Sequence, residues 1–144
     1  MRHSVMSAFA GLAVAALGSP ASAHAIFPGS QTVQTLVERA VVRFQAANGR
    51  KDVSAFVVEI FDLDWKPYRL AVASPERFSV PPADASRNEA HEHSFSVLVD
   101  LGGKDERKLR ICTKSVARAE GRQPRTATVN TRVCAILTVR RLSL

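Results

Sequence analysis

Two stretches near the C-terminal end, residues 107–116 and 128–141, alternate strictly from one side to the other, and each carries one of the chain's only two cysteines. Alternation with period two is the mark of a strand that buries one face. In the first stretch Leu109, Ile111 and Thr113 face one way, and Lys108, Arg110, Cys112 and Lys114 the other. In the second, Val129, Thr131, Val133, Ala135, Leu137 and Val139 oppose Asn130, Arg132, Cys134, Ile136, Thr138 and Arg140. Two cysteines allow one intramolecular bridge. With Cys112 opposite Cys134 in an antiparallel pair, Leu109 falls against Leu137, Ile111 against Ala135 and Thr113 against Val133, all on one face. Lys114 then meets Arg132, and Arg110 meets Ile136, on the other. A slip by one residue would turn charges toward the core, so the pattern supports this register. The connection centres on Gln123 and Pro124, in the polar segment 117–127. Closing a loop of about 20 residues contributes on the order of 3 kcal/mol, a large share of a small domain's net stability.

The N-terminal end reads differently. Met1-Arg2-His3 is a short positive segment, residues 5–17 are apolar and uncharged, and Ala21-Ser22-Ala23 is an A-x-A cleavage signal. This is the pattern of a secretory signal peptide over residues 1–23, and the apolar run is shorter than the roughly 20 residues a bilayer span needs. A second A-x-A, Ala23-His24-Ala25, allows cleavage two residues later. No other run is long enough to span a membrane. The expected product is exported, periplasmic or secreted, where a disulfide is permitted.

The remainder, 24–144, is long enough for one domain. Residues 26–33 contain Pro28-Gly29 and read as a broken edge strand. In 36–46 the set Glu38, Ala40, Val42 and Phe44 would face the core; a strand is favoured over a helix by the β-branched content. Asn48-Gly49 is a turn signal. Residues 53–61 are nearly continuous apolar, as in a central strand, and 62–67 turn. Trp65, the only tryptophan, sits at this strand end and is expected as a packed core plug. A short strand follows over 68–73, a proline-bounded edge segment over 74–82, a polar loop over 83–90, and an alternating strand over 93–101 that ends in Gly102-Gly103. About seven strands with turns every 8–15 residues predict an all-β, immunoglobulin-like sandwich.

Little here suggests catalysis. There is no G-x-S-x-G, no phosphate-binding glycine loop and no H-E-x-x-H. Asp62 and Asp64 flank a turn, and turn chemistry explains them. The chain is therefore expected to be non-enzymatic. Its charge is lopsided: formal net charge is +7, and residues 101–144 hold eleven Lys or Arg against three acidic residues. Lys108, Arg110, Lys114, Arg132 and Arg140 gather on the outward face of the cysteine strands, with Arg141 at the end. Such a face suits an acidic partner, a terminal carboxylate or anionic envelope surface; a plain solvated sheet face is the alternative. No nucleic-acid partner is expected, because export removes that target and no aromatics interleave with the basic residues. The second candidate is metal. After cleavage at Ala23, His24 would supply an amine and an imidazole, and His91 or His93 a further imidazole. Imidazole suits copper and zinc. If the cut falls after Ala25, or if these are surface histidines, no such site exists and no cofactor is expected.

Taken together, the mature residues resemble the N-terminal immunoglobulin-like domain of periplasmic pilus-assembly chaperones, the PapD-like family. Residues 53–61 followed by 62–67 are similar to the family's second-strand region and the turn after it. Residues 74–82 (SPERFSVPP) resemble its P-x-x-F-x-L-x-P edge segment, and residues 109–116 with 130–141 look like the last two strands of that domain. The resemblance implies a protein partner, a pilin-like subunit or other envelope protein, whose incomplete sheet is extended by an exposed last strand. Family members have two such domains. They anchor the pilin's terminal carboxylate with an arginine on the first strand and a lysine on the last. Here residues 26–33 hold no arginine, and the last strand offers Arg132, Arg140 and Arg141.

Overall fold

Proline breaks and apolar alternation together decide the layout. The computed structural model describes residues 24–50, 54–84, 86–87, 89–116 and 131–143, and all regular structure among them is β. The described residues form nine strands: β1 (His24–Phe27), β2 (Ser30–Thr35), β3 (Arg39–Asn48), β4 (Ser54–Phe61), β5 (Ala71–Ser74), β6 (Arg77–Val80), β7 (His91–Asp100), β8 (Glu106–Val116) and β9 (Arg132–Arg141). They make a four-stranded sheet, β1-β3-β7-β5, and a five-stranded sheet, β2-β9-β8-β4-β6. The expectations for residues 1–23, for the 117–127 connection and for positions 128–130 of the last strand lie outside the described residues.

The core sits where alternation places it. Ala40, Val42, Phe44 and Ala46 of β3 and Phe95, Val97 and Val99 of β7 are buried from one sheet. Phe56 and Val58 of β4, Leu109 and Ile111 of β8, and Ala135, Leu137 and Val139 of β9 meet them from the other. This is the interdigitated interior of a two-sheet sandwich. The cysteine register is borne out pair for pair: Leu109 opposes Leu137, Ile111 opposes Ala135, Cys112 opposes Cys134 and Lys114 opposes Arg132. The Cys112–Cys134 disulfide forms, with the two Cα atoms 4.0 Å apart.

Twice the chain passes from one sheet to the other at a proline. β1 pairs antiparallel with β3, the chain bends at Pro28, and β2 pairs parallel with β9. β5 pairs with β7, the chain bends at Pro75, and β6 pairs with β4. Both bonds, Phe27–Pro28 and Ser74–Pro75, are cis. Proline cannot donate to a ladder, so each ladder stops there.

Side chains hold several of the connections. Asp62 Oδ1 accepts the N–H groups of Asp64 and Lys66, both at 2.9 Å, so this carboxylate is spent on the turn. Asp100 Oδ1 accepts the N–H of Gly102 at 2.9 Å, and Gly102 and Gly103 take φ of 58° and 75°. Asn48 is fully buried and donates to the carbonyls of Val80 and Pro81. Trp65 corrects an expectation. It is 49 % exposed and has φ of 64°, so it plugs nothing. The tight Asp62 turn carries its backbone into the left-handed region and leaves its ring outside the sandwich. Tyr68 turns inward in its place and donates its hydroxyl to the Asp100 carbonyl at 2.7 Å.

Candidate partner-binding face and edge

The outer face of the five-stranded sheet gathers the basic residues in rows fixed by register. Arg132, Lys114, Val57 and Arg77 form one row across β9, β8, β4 and β6. The next row is Cys134, Cys112 and Glu59, and the one after it is Ile136, Arg110 and Phe61. Lys108 pairs with Thr138, and Arg140 with Glu106. So five of the six predicted basic residues share one face. Arg141, one residue past Arg140, projects from the opposite side of β9 and pairs with Asp105 at 2.7 Å.

Much of this charge is already engaged. Arg132 meets Glu59 at 2.8 Å, Arg140 meets Glu106 at 2.6 Å, and Lys108 lies 3.7 Å from Glu106. The Arg140 hydrogen bond holds the Glu106 carboxyl below its ordinary range. Arg110 stacks its guanidinium over the Trp65 ring at 4.6 Å, and Arg132 stacks over Phe61 at 5.4 Å. The first of these aromatic contacts depends on Trp65 lying outside the sandwich, where its sequence position does not announce it. Lys114 and Arg77 have no acidic partner within 4 Å among the described residues, and they lie in one row on either side of Val57.

The predicted open edge is shorter than expected. β9 is not the outermost strand: β2 pairs with it from Ile136 to Arg141. Among the described residues, Arg132–Ala135 have no strand on that side. The Ile136 N–H reaches the Gly29 carbonyl at 3.0 Å, which shows that even-numbered residues of β9 aim their main-chain groups away from β8. Among the described residues the N–H and C=O groups of Arg132 and Cys134 therefore have no main-chain partner there. Arg140 lies along the covered half.

The three histidines are not brought together. His24 opposes Asn48, and Asn48 opposes His91, so a whole strand separates the two imidazoles in register. The His24 ring is 2 % exposed and points into the sandwich. Its Nε2 donates to the Thr113 carbonyl at 3.0 Å, which leaves Nδ1 to accept from the Thr131 hydroxyl at 2.7 Å. Arg50 donates to the same hydroxyl at 3.0 Å. Burial lowers the His24 pKa; the Thr113 carbonyl acts against this and Arg50 adds to it. His93 stacks on Phe78 at 4.5 Å, and His91 is exposed. Among the described residues no three His, Cys, Asp or Glu side chains converge on a metal position. Both imidazole nitrogens of His24 are occupied by the protein itself, so nothing in this arrangement supports the copper or zinc site built on it.

No protein-family model matches the chain, and no curated protein is similar to it in sequence. Solved structures do match. The Salmonella enterica SafA pilin in complex with the SafB chaperone is similar at 12 % identity and TM-score 0.62, over 83 % of this chain and 54 % of that one. The E. coli chaperone DraB matches at 15 % identity and TM-score 0.62, over 83 % and 55 %. The CsuC–CsuE chaperone–tip adhesion subunit complex of Acinetobacter baumannii matches at 11 % and 0.57, over 83 % and 57 %. The chain thus spans a little over half the length of these proteins. What it shares with them is the fold, an immunoglobulin-like sandwich similar to that of PapD-like pilus-assembly chaperones.

Proposed function

We propose that this is an exported, non-enzymatic assembly protein of the periplasm that holds a pilin-like or other envelope subunit by strand addition. The observation that carries the reading is the open half of β9. There, among the described residues, the main-chain groups of Arg132 and Cys134 have no strand partner, in a fold similar to proteins solved as pilus chaperones. An incomplete sheet in a partner would gain a strand from this edge, with main-chain hydrogen bonds supplying affinity. The row containing Arg132 and Lys114 lies beside the edge and would steer an acidic partner surface.

Suppression of aggregation tests it. The mature protein is mixed in equimolar amount with a denatured pilin subunit lacking its own final strand, and light scattering is followed during refolding. Scattering is expected to fall at least fivefold. Arg132→Pro deletes one edge N–H while sparing the β8 ladder, and it should abolish the effect. Equal suppression by Arg132→Pro, or none by the parent protein, overturns the reading.

A further inference from the structure

We propose that the opposite side of the sandwich, between β4 and β5, takes an extended segment of a second protein, built of small apolar residues and carrying a basic residue. This surface is distinct from the β9 edge. β5 is the outer strand of its sheet, and the neighbouring part of β4 is left uncovered where β6 stops. Between them lies a groove of about 500 Å³, lined by Val58, Ile60, Tyr68, Ala71 and Ala73 among others.

Main-chain chemistry selects a peptide over a small apolar molecule. The Asp100 N–H reaches the Leu70 carbonyl at 2.8 Å, so Leu70, Val72 and Ser74 aim their main-chain groups at β7. Ala71 and Ala73 necessarily aim theirs outward. None of those four groups has a hydrogen bond among the described residues. On the β4 side the Val58 N–H is taken by the Glu76 carbonyl and the Ile60 carbonyl by the Tyr68 N–H. The intervening Val58 carbonyl and Ile60 N–H face the groove. A strand laid along β5 would pair with Ala71 and Ala73 and direct alternate side chains onto Val58 and Ile60. The short Ala71 and Ala73 side chains leave room for them.

Charge complementarity adds the basic residue. Glu76 is exposed at the end of this groove and has no cation within 4 Å among the described residues, whereas Glu59 at the same groove is already held by Arg132. A lysine or arginine on the incoming segment has Glu76 to meet.

The test uses the full disulfide-bonded chain and a synthetic peptide of alternating valine and threonine with a lysine at each end. Hydrogen exchange at the Ala71 and Ala73 amides should slow at least tenfold at saturation. Ala73→Pro removes an N–H that no ladder uses and should weaken binding at least tenfold. Glu76→Lys, an exposed change, should weaken the lysine peptide and favour a glutamate-ended one. Unchanged exchange at both amides, undiminished binding by Ala73→Pro, or indifference of Glu76→Lys to peptide charge overturns the proposal. Protection that rises with protein concentration in the absence of peptide would show a second copy as the occupant, and this too overturns it.

Discussion

The Nε2 of His24 lies 3.0 Å from the carbonyl oxygen of Thr113, on a strand of the opposite sheet. This one imidazole ties the first residue of β1 to β8 and, through Nδ1, to Thr131 before β9. Burial keeps it neutral in the folded protein, with its pKa below the ordinary 6.5. The unfolded chain therefore takes up the extra proton as pH falls through 6.5. Stability is full above that value and declines below it, by at most about 1.4 kcal/mol per pH unit, until the folded pKa is crossed. Urea midpoints measured from pH 8 to 4 should show this decline in the parent protein. His24→Gln should lack it, while retaining the more acidic loss from Glu106 and Asp100, whose pKa values are lowered from 4.5 and 3.8. A flat parent profile between pH 7 and 5 would contradict the buried neutral ring.

The disulfide closes a sequence separation of 22. Reduction, or the double change Cys112→Ser with Cys134→Ser, is expected to cost about 3 kcal/mol, read as a lower urea midpoint. Free-thiol labelling of the unreduced protein should modify neither cysteine.

Trp65 combines a left-handed backbone with a ring that Arg110 covers. A left-handed L-residue costs roughly 1–2 kcal/mol, and an exposed cation–π contact returns about 0.5–1 kcal/mol. Trp65→Gly should therefore be neutral or stabilising. Trp65→Ala keeps the backbone cost, loses the ring, and should destabilise by about 0.5–1 kcal/mol. Thermal melts of the two variants side by side decide this, and an alanine variant at least as stable as the glycine one would show that the left-handed backbone carries no such cost.

Gly102 has φ of 58°, and a Cβ there would lie 2.7 Å from Leu70 Cδ1. Gly102→Ala adds backbone strain and crowding at the β7–β8 turn and should cost at least about 1 kcal/mol. Gly103→Ala meets no neighbour within 4 Å and pays only for its φ of 75°. A larger loss at 103 than at 102 would show that the Leu70 contact relaxes freely.

How far the sequence could be read depended on whether a feature was local. The β8–β9 register was legible because the cysteines and the Leu109–Leu137 alternation agree on a single pairing. The bend at Pro28–Gly29 was legible for the same kind of reason, since proline ends a ladder wherever it falls. Partner choice was not legible. Ser30–Thr35 is a polar run with no inward apolar set of its own beyond Val33, so nothing in it announces parallel pairing with β9, which closes half of the anticipated edge. The basic face looked bare in sequence because Glu59 and Glu106 lie on the same face by register alone. His24 looked like a ligand because alternation says nothing about which pole of a sandwich a strand begins at. Trp65 was misplaced because tryptophan's preference for burial is weaker than the turn that the Asp62 carboxylate fixes.

The two crossings that lie at a proline also have a mechanical consequence. One covalent crossing, at Pro28, bridges the β1–β2 side of the sandwich, and the other, at Pro75, bridges the β5–β6 side. Neither sheet can slide over its neighbour without dragging chain that belongs to both. Shear between the layers is therefore resisted at both flanks, and under tension the domain should yield by peeling a strand out of its own sheet before the two layers part.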